Sequence, residues 1–388
     1  MKIAVVDPSY FTLCYDSHLC SALSAHGHQV TLVGRKLRPG EWLPHDRFLA
    51  DAHFYRFSEA VRFPALKKKL IARVKGAEHI ANMATCLMKL RKLRPDIIHF
   101  QWLPLPMIDL FFISQMRKIA PVLLTVHDTN PFHGHPTHRL QLEGWGKSLS
   151  AFDQLVVHTE FSKAKLVDMG VDPLSIQVVP HGVLRVDEVE PQKRPPFTNG
   201  EAVILCFGEI KPYKGIDVLF RAFALLPDAV RRRAKIRIVG RPRMNLDSLT
   251  TLSREISIAD RVEWDLRFVP EEEIPEVFAN ADILAFPYRD IDASGVLMMS
   301  LPFAKPIVAS NVGGFSEILQ DGDNAVLSPV EDHESLAAGM LRLLTDGDYS
   351  SRLSQKCVEL SDTKFSWRHI AEMTTGVYQS LMTGATYG

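Results

Sequence analysis

Short apolar runs, each followed by a longer amphipathic stretch, recur along nearly the whole chain, and this rhythm is the strongest constraint on its fold. Runs too short for a helix and apolar on both faces read as strands buried on both sides. The amphipathic stretches supply the covering helices, so the pattern predicts strand-helix-strand units in parallel sheets. In the first half the predicted strands are residues 3–6, 29–33, 97–100, 122–126, 155–158 and 177–179, with helices at 17–25, 107–116 and 160–169. A charged, proline-containing break at 185–200 (Pro191, Pro195, Pro196) then reads as a linker. The rhythm restarts with strands at 203–207, 236–239, 261–264, 283–286, 307–309 and 325–327, with helices at 216–226, 271–279, 295–303 and 335–344. The chain ends in helical segments near 349–360 and 367–382.

A length of 388 residues exceeds what one core normally serves, so two doubly wound α/β domains facing each other across a cleft are expected, at 1–184 and 201–366. Residues 367–388 form a helix that packs back on the first domain. The 45 basic and 45 acidic residues exclude a wholly basic nucleic-acid binder. Five scattered cysteines without a CxxC pair argue against a disulfide framework and a zinc site. With no leader pattern at Met1 and no bilayer-length apolar run, the expected location is the cytoplasm.

The second half carries the most informative motif, Phe207-Gly-Glu-Ile-Lys-Pro-Tyr-Lys-Gly215, directly after a predicted strand. Lys211 and Lys214 beside free amides at a helix start form an anion site, or else a surface loop with solvated lysines. A second stretch, Pro287-Tyr-Arg-Asp-Ile-Asp-Ala-Ser-Gly295, precedes an apolar helix that Ser294 can cap. It is followed by Lys305-Pro-Ile-Val-Ala-Ser310 and Gly313-Gly-Phe-Ser-Glu317. Together these outline a pocket for a phosphorylated ligand.

In order and spacing, this set resembles the family 4 glycosyltransferases, retaining enzymes of the two-Rossmann-domain GT-B fold that use nucleotide-sugar donors. The resemblance runs from Met1 to about Trp367, helped by Thr125-Val-His-Asp128 and Val178-Val-Pro-His-Gly182. It implies that the C-terminal domain binds the donor and the N-terminal domain the acceptor. Lys214 matches the lysine that holds the donor diphosphate. The usual arginine after the glycine is replaced by Glu209, and Lys211 is the substitute. The family's paired glutamates fall on Ile291 and Met299, neither of which can do polar work. Asp290 or Asp292 takes the lost role, or both are exposed loop carboxylates. Gly208, Tyr288, Ser294 and Gly295 complete the donor side with Arg267, whose side chain alternatively pairs with Glu271 or Glu272.

In the first half His127 matches the family histidine beside the anomeric carbon, acting through its imidazole or its backbone carbonyl. Asp128 orients it or caps the next turn. Tyr15 and Asp16 are acceptor-side candidates, with packing as the alternative for Tyr15. His181 is not assigned a catalytic role. The implied chemistry is metal-independent transfer of a hexose from a UDP- or GDP-linked donor to a saccharide or lipid-linked acceptor in glycan or polysaccharide synthesis, with no cofactor. Rivals are a non-catalytic nucleotide-sugar-binding partner and a GT-B epimerase. A dinucleotide-dependent dehydrogenase is disfavoured because no GxGxxG follows the first strand.

One feature stands outside this set. Residues 1–184 hold 22 Lys+Arg against 15 Asp+Glu, and the excess lies within residues 62–94, which carry ten basic residues and one acid, Glu78. Interleaved with Leu66, Leu70, Ile71, Val74, Ile80, Met83, Leu87 and Leu90, they read as a basic amphipathic helix. Such a helix lies on an anionic membrane or simply covers the first domain's sheet.

Overall fold

A computed structural model describes residues 1–41, 43, 47–60, 68–130, 139–184, 197 and 200–384. The chain divides into two compact units, Met1–Gly182 with Trp367–Gly388, and Val183–Ser366. Most of the predicted linker and the start of the basic stretch, residues 62–67, lie outside the described residues.

The first unit is built on a seven-stranded parallel sheet. Its strands are β1 (Lys2–Val6), β2 (Gln29–Arg35), β3 (Leu49–Phe54), β4 (Ile97–Phe100), β5 (Val122–Thr125), β6 (Gln154–Val157) and β7 (Ile176–Val178), in the order β3-β2-β1-β4-β5-β6-β7. The order reverses between β1 and β4, where Ile3 pairs with Ile97 and Val6 with Phe100. Ala4, Val6, Ile98, Phe100, Val122 and Leu124 enter a core shared with Met83, Leu87 and Leu90 of the helix Lys68–Leu93. Each such fully buried large side chain contributes about 1.5–3 kcal/mol. The helix is also held by a buried relay in which His79 joins the Tyr55 hydroxyl at 2.8 Å to Asp109 at 2.6 Å. Met83, Leu87 and Leu90, read as part of a membrane-facing stripe, therefore serve the core. Leu70, Ile80 and Met88 remain exposed.

The second unit repeats the plan with β8 (Ala202–Phe207), β9 (Ala234–Val239), β10 (Val262–Asp265), β11 (Ile283–Phe286), β12 (Ile307–Ser310) and β13 (Val326–Ser328), all parallel, in the order β10-β9-β8-β11-β12-β13. Its helix Ile216–Ala224 buries Ile216, Leu219, Phe220 and Phe223, a helical stripe, and the sheet is covered on both faces. The order reverses between β8 and β11. Both units are thus Rossmann-like doubly wound sheets with the expected GT-B architecture.

Among the described residues, twelve of the thirteen strands fall within two residues of their predicted limits, and β3 is the addition. The C-terminal helix Trp367–Thr383 completes the first unit. It packs on the helix Leu13–Ala25, and Tyr378, fully buried, meets His99 Nδ1 at 2.7 Å.

Candidate functional site

In doubly wound sheets ligands bind beyond the carboxyl ends of the strands where the order reverses. In the second unit this brings the loop after β8 and the loop after β11 together. The chain leaves β8 through Gly208 (φ +97°) and makes a 3-10 turn at Pro212–Lys214. It enters the next helix through Gly215 (φ +62°), where a Cβ would overlap the Pro287 carbonyl oxygen. Only glycine gives both the left-handed conformation and the close passage of the two loops.

Lys214 occupies the centre of this arrangement. It is only 3% exposed, its Nζ donates to the Phe207 carbonyl at 2.6 Å, and the Tyr288 ring centroid lies 5.1 Å away. A Cβ at Gly208 would come within 2.9 Å of the same nitrogen. Burial pushes the Lys214 pKa down to about 8. The sequence motif thus yields a desolvated cation fixed at a strand end, where an anion would repay its lost hydration.

Lys211 has a different setting. Its Nζ is 3.3 Å from Glu209, which Arg243 also grips at 2.6 Å. Lys211 further lines a cavity of about 350 Å³ with Ile216, Asp217, Arg221, Leu249 and Arg289. It is therefore not the only cation brought to this loop, since Arg243 arrives from beyond β9. Arg289, unassigned by the sequence reading, locks the two loops: its guanidinium donates to Pro212 O at 2.9 Å and Asp217 at 2.7 Å and pairs with Glu331, while its backbone N–H donates to Tyr213 O.

The two loop aspartates differ, with Asp290 exposed and Asp292 only 7% exposed, so the alternative of two exposed carboxylates is corrected for Asp292. Ile291 and Met299 pack against the core as their chemistry demands. Ser294 Oγ accepts from Leu297 N–H at 3.2 Å and so caps the helix Gly295–Ser300. Arg267 pairs with Asp265 and Glu273 rather than with Glu271 or Glu272. Lys305, buried, donates to Ala279 O at 2.9 Å and serves the fold.

In the first unit, polar residues stand just past the carboxyl ends of successive strands: Asp7 after β1, Gln101 after β4, His127 after β5 and His158 after β6. His158 Nδ1 donates to Val179 O at 3.0 Å, so its Nε2 accepts from His127 Nδ1 at 3.1 Å. Burial and the neighbouring histidines hold His127 well below the usual imidazole range, keeping it neutral. Its Nε2, 3.1 Å from the Gln101 side-chain amide, is then an acceptor and requires the amide to present its NH2 group. The Gln101 amide nitrogen is otherwise buried without a partner, and this orientation gives it one. Both His127 ring nitrogens are thereby occupied.

Tyr15 is 4% exposed, and its ring packs against His127, His181 and Trp367 at centroid separations of 4.8, 4.9 and 5.1 Å. Asp16 and Asp7 are both fully buried and hydrogen-bonded to each other. Burial, then the charge of Asp7, raises the Asp16 pKa well above the carboxylate range, and a protonated Asp16 donating to Asp7 satisfies its otherwise unpartnered Oδ2. Asp128 is exposed and accepts from Asn130 N–H at 2.8 Å, capping the following turn. Gln101, His158 and Arg289 were missed by motif matching, although their shared position at strand ends was readable. Among the described residues, no group of three or more His, Cys, Asp or Glu is arranged to hold a metal ion.

Comparison with known proteins matches residues 15–182 to the family described as glycosyl transferase 4-like domain and residues 188–358 to glycosyl transferases group 1. A relative from Nocardioides sp., named D-inositol 3-phosphate glycosyltransferase, is 30% identical over 282 residues, covering 68% of this chain and 60% of its own length. Among solved structures, Anabaena HepE in complex with UDP-glucose superposes with a TM-score of 0.73 at 15% identity, covering 98% of this chain and 100% of its own. Sucrose-phosphate synthase from Thermosynechococcus elongatus gives 0.71 at 17% identity, covering 99% and 100%. At such identities these likenesses establish the GT-B fold alone.

Proposed function

Because this chain belongs to the glycosyl transferases group 1 family, with a glycosyl transferase 4-like N-terminal half, we propose that it is a retaining hexosyltransferase. The donor is a UDP- or GDP-linked sugar, held by residues 201–366. The acceptor is a saccharide or lipid-linked saccharide, held by residues 1–184, and the product enters glycan or polysaccharide synthesis in the cytoplasm. The observation that carries this reading is the buried Lys214 ammonium on Phe207 O, a preorganised charge for the donor diphosphate. The name of one structural neighbour supports the donor class, since it is complexed with UDP-glucose.

Lys214, Lys211 and the amides after Ser294 stabilise charge growing on the departing diphosphate. Attack comes from the face of departure, and the donor phosphate accepts the acceptor's proton. Asp292, the more buried of the loop pair, meets the sugar hydroxyls, with Asp290, Gly208, Tyr288 and Gly295 around the donor and Arg267 near the base. Since both imidazole nitrogens of His127 are engaged, its backbone carbonyl is the group offered to the reacting sugar. Tyr15 and Asp16 position the acceptor side from beneath, and Asp128 meets the acceptor from its exposed turn. The cations supply the positive charge, so transfer needs no divalent metal, and chelator leaves the rate unchanged.

The decisive experiment is Lys214→Ala with UDP- and GDP-sugars. Donor binding and donor hydrolysis should both disappear, and near-wild-type turnover would refute the assignment. A second reading, a non-catalytic nucleotide-sugar-binding partner, is favoured by Ile291 and Met299 standing where the family has glutamates; donor binding with no nucleoside diphosphate released across many acceptors would select it. The helix Lys68–Leu93 further suggests docking on an anionic membrane through its exposed Arg73, Arg91 and Lys92 with Leu70 and Met88. Flotation with acidic liposomes at low salt tests it, and absence of binding would end the idea.

A further inference from the structure

The first unit has its own reversal of strand order, between β1 and β4, and the loops that leave these strands meet through two aromatic rings. Phe11, in the loop after β1, stacks on Trp102, in the loop after β4, with centroids 3.9 Å apart and planes 15° from parallel. Phe11 is 60% exposed, so with one face on Trp102 its opposite face lies open to solvent. An aromatic ring left in water at a ligand-binding crossing calls for an explanation.

The loop holds Phe11 there from below. The buried Asp7 carboxylate accepts from Ser9 N–H at 3.0 Å and Thr12 N–H at 3.1 Å. Tyr10 is turned inward at a left-handed φ of +52°, a costly conformation for a residue other than glycine, and is only 7% exposed. Its ring fills the space above Gly34, where any Cβ would overlap it, and the Arg35 guanidinium lies 5.5 Å from its centroid. Arg35 is itself fixed on Ser9 O at 2.8 Å and Glu41 at 2.6 Å. With Tyr10 pinned inward, the next side chain is forced outward, and its position is set before any ligand arrives.

We propose that the open face of Phe11, backed by Trp102, seats the ring of the acceptor: a pyranose or comparable cyclic polyol lying with its C–H face on the aromatic. This rests on the glycosyltransferase reading above. The occupant follows from the surroundings. The ring pair is continuous with the polar strand-end row, because Trp102 directly follows Gln101, which bonds His127. A sugar ring is apolar on its face and polar at its edge, which matches an aromatic plate bordered by hydrogen-bonding groups.

The test uses tryptophan fluorescence and calorimetry with methyl α-D-glucopyranoside, methyl α-D-mannopyranoside and myo-inositol as probes. At least one should bind the wild type and change its emission. Trp102→Phe should remove that change, Phe11→Ala should weaken binding about tenfold, and Phe11→Tyr should retain it. Phe11 is mostly solvent-exposed, so its loss leaves the core intact. Equal affinity in Phe11→Ala and wild type overturns the proposal, as does failure of all three probes to bind, or binding that follows the alkyl chain when octyl glucoside is compared with octanoate. Donor hydrolysis by the wild type scores the underlying reading separately: hydrolysis with no dependence of probe binding on Phe11 sinks the ring platform alone.

Discussion

Lys214 is a cation buried at a cost, and that cost is measurable. Its pKa falls from the ordinary 10.5 to about 8 through desolvation, and at 1.36 kcal/mol per unit this is about 3 kcal/mol against the charged form in the folded chain. The folded protein holds this proton less tightly than the unfolded chain, so the penalty is complete below about pH 8 and fades as pH rises toward 10.5. Lys214→Met removes the charge and keeps most of the apolar stem against Tyr288, but leaves the Phe207 carbonyl without its donor, a loss of about 1–3 kcal/mol. The net expectation is a gain of about 0–2 kcal/mol at pH 7, or up to roughly 8 °C in the midpoint of a unit this size. Scanning calorimetry of wild type and variant at pH 7, 8.5 and 10 reads the difference directly. It should be largest at pH 7 and shrink with alkali. A variant that melts below the wild type at pH 7, or a gap that ignores pH, would falsify the account of Lys214 as a desolvated cation. Stability gained as donor binding is lost is the trade expected where strain is kept for a ligand.

Three further outcomes follow from the same physics. Asp16→Asn should melt within about 1 kcal/mol of wild type at pH 8, because the amide supplies the hydrogen that Asp7 receives from the protonated acid, whereas Asp7→Asn keeps one acceptor oxygen for the two amides of Ser9 and Thr12, turns an NH2 toward the other, and should lose about 1–3 kcal/mol. Chemical denaturation separates the two, and equal losses would refute the shared proton. His99 and His158 are held neutral by burial, with pKa values lowered to about 3 and about 4, so the first unit should lose stability as pH falls below 6.5, by up to about 1.4 kcal/mol per pH unit for each. Acid titration followed by near-UV circular dichroism should move to lower pH in His158→Gln, and an unchanged midpoint counts against the assignment. Gly215→Ala combines a left-handed backbone with an overlap on the Pro287 carbonyl and should cost at least about 2 kcal/mol, read as a lower urea midpoint; a neutral result would mean the loops do not pass as closely as described.

Much of the architecture was readable because buried parallel strands are continuous apolar runs, as in Ile97–Phe100 and Ile283–Phe286. β3 was not, since Leu-Ala-Asp-Ala-His-Phe at a half-exposed sheet edge has neither an apolar run nor clean alternation. The anion loop was legible in its glycines and lysines, which act within a few residues of each other. The state of His127 was not, because it depends on Gln101 and His158, delivered by β4 and β6 from distant parts of the chain. The ion pairs of Lys211 and Arg267 were not legible for a related reason. Carboxylates that neutralise them, Glu209 and Glu273, are near in sequence, but only folded geometry chooses among neighbouring acids. Phe11 carries no signal in sequence, because only the adjacency of β1 and β4 puts Trp102 beneath it.

The C-terminal helix has a consequence for how the molecule is made. Gly182, where the chain leaves the first unit, lies so close to Trp367, where it returns, that a Cβ on the glycine would come within 2.6 Å of the indole. One sheet unit is thus an insertion within the other, entered and left at a single point. On the ribosome the first unit cannot bury Tyr15 and His99 fully until the last helix has emerged, a delay of roughly 10–40 s at ordinary elongation rates, during which the second unit can fold. The nascent N-terminal half therefore waits with an aromatic and histidine face uncovered, and a stop codon before Trp367 would leave it in that state permanently.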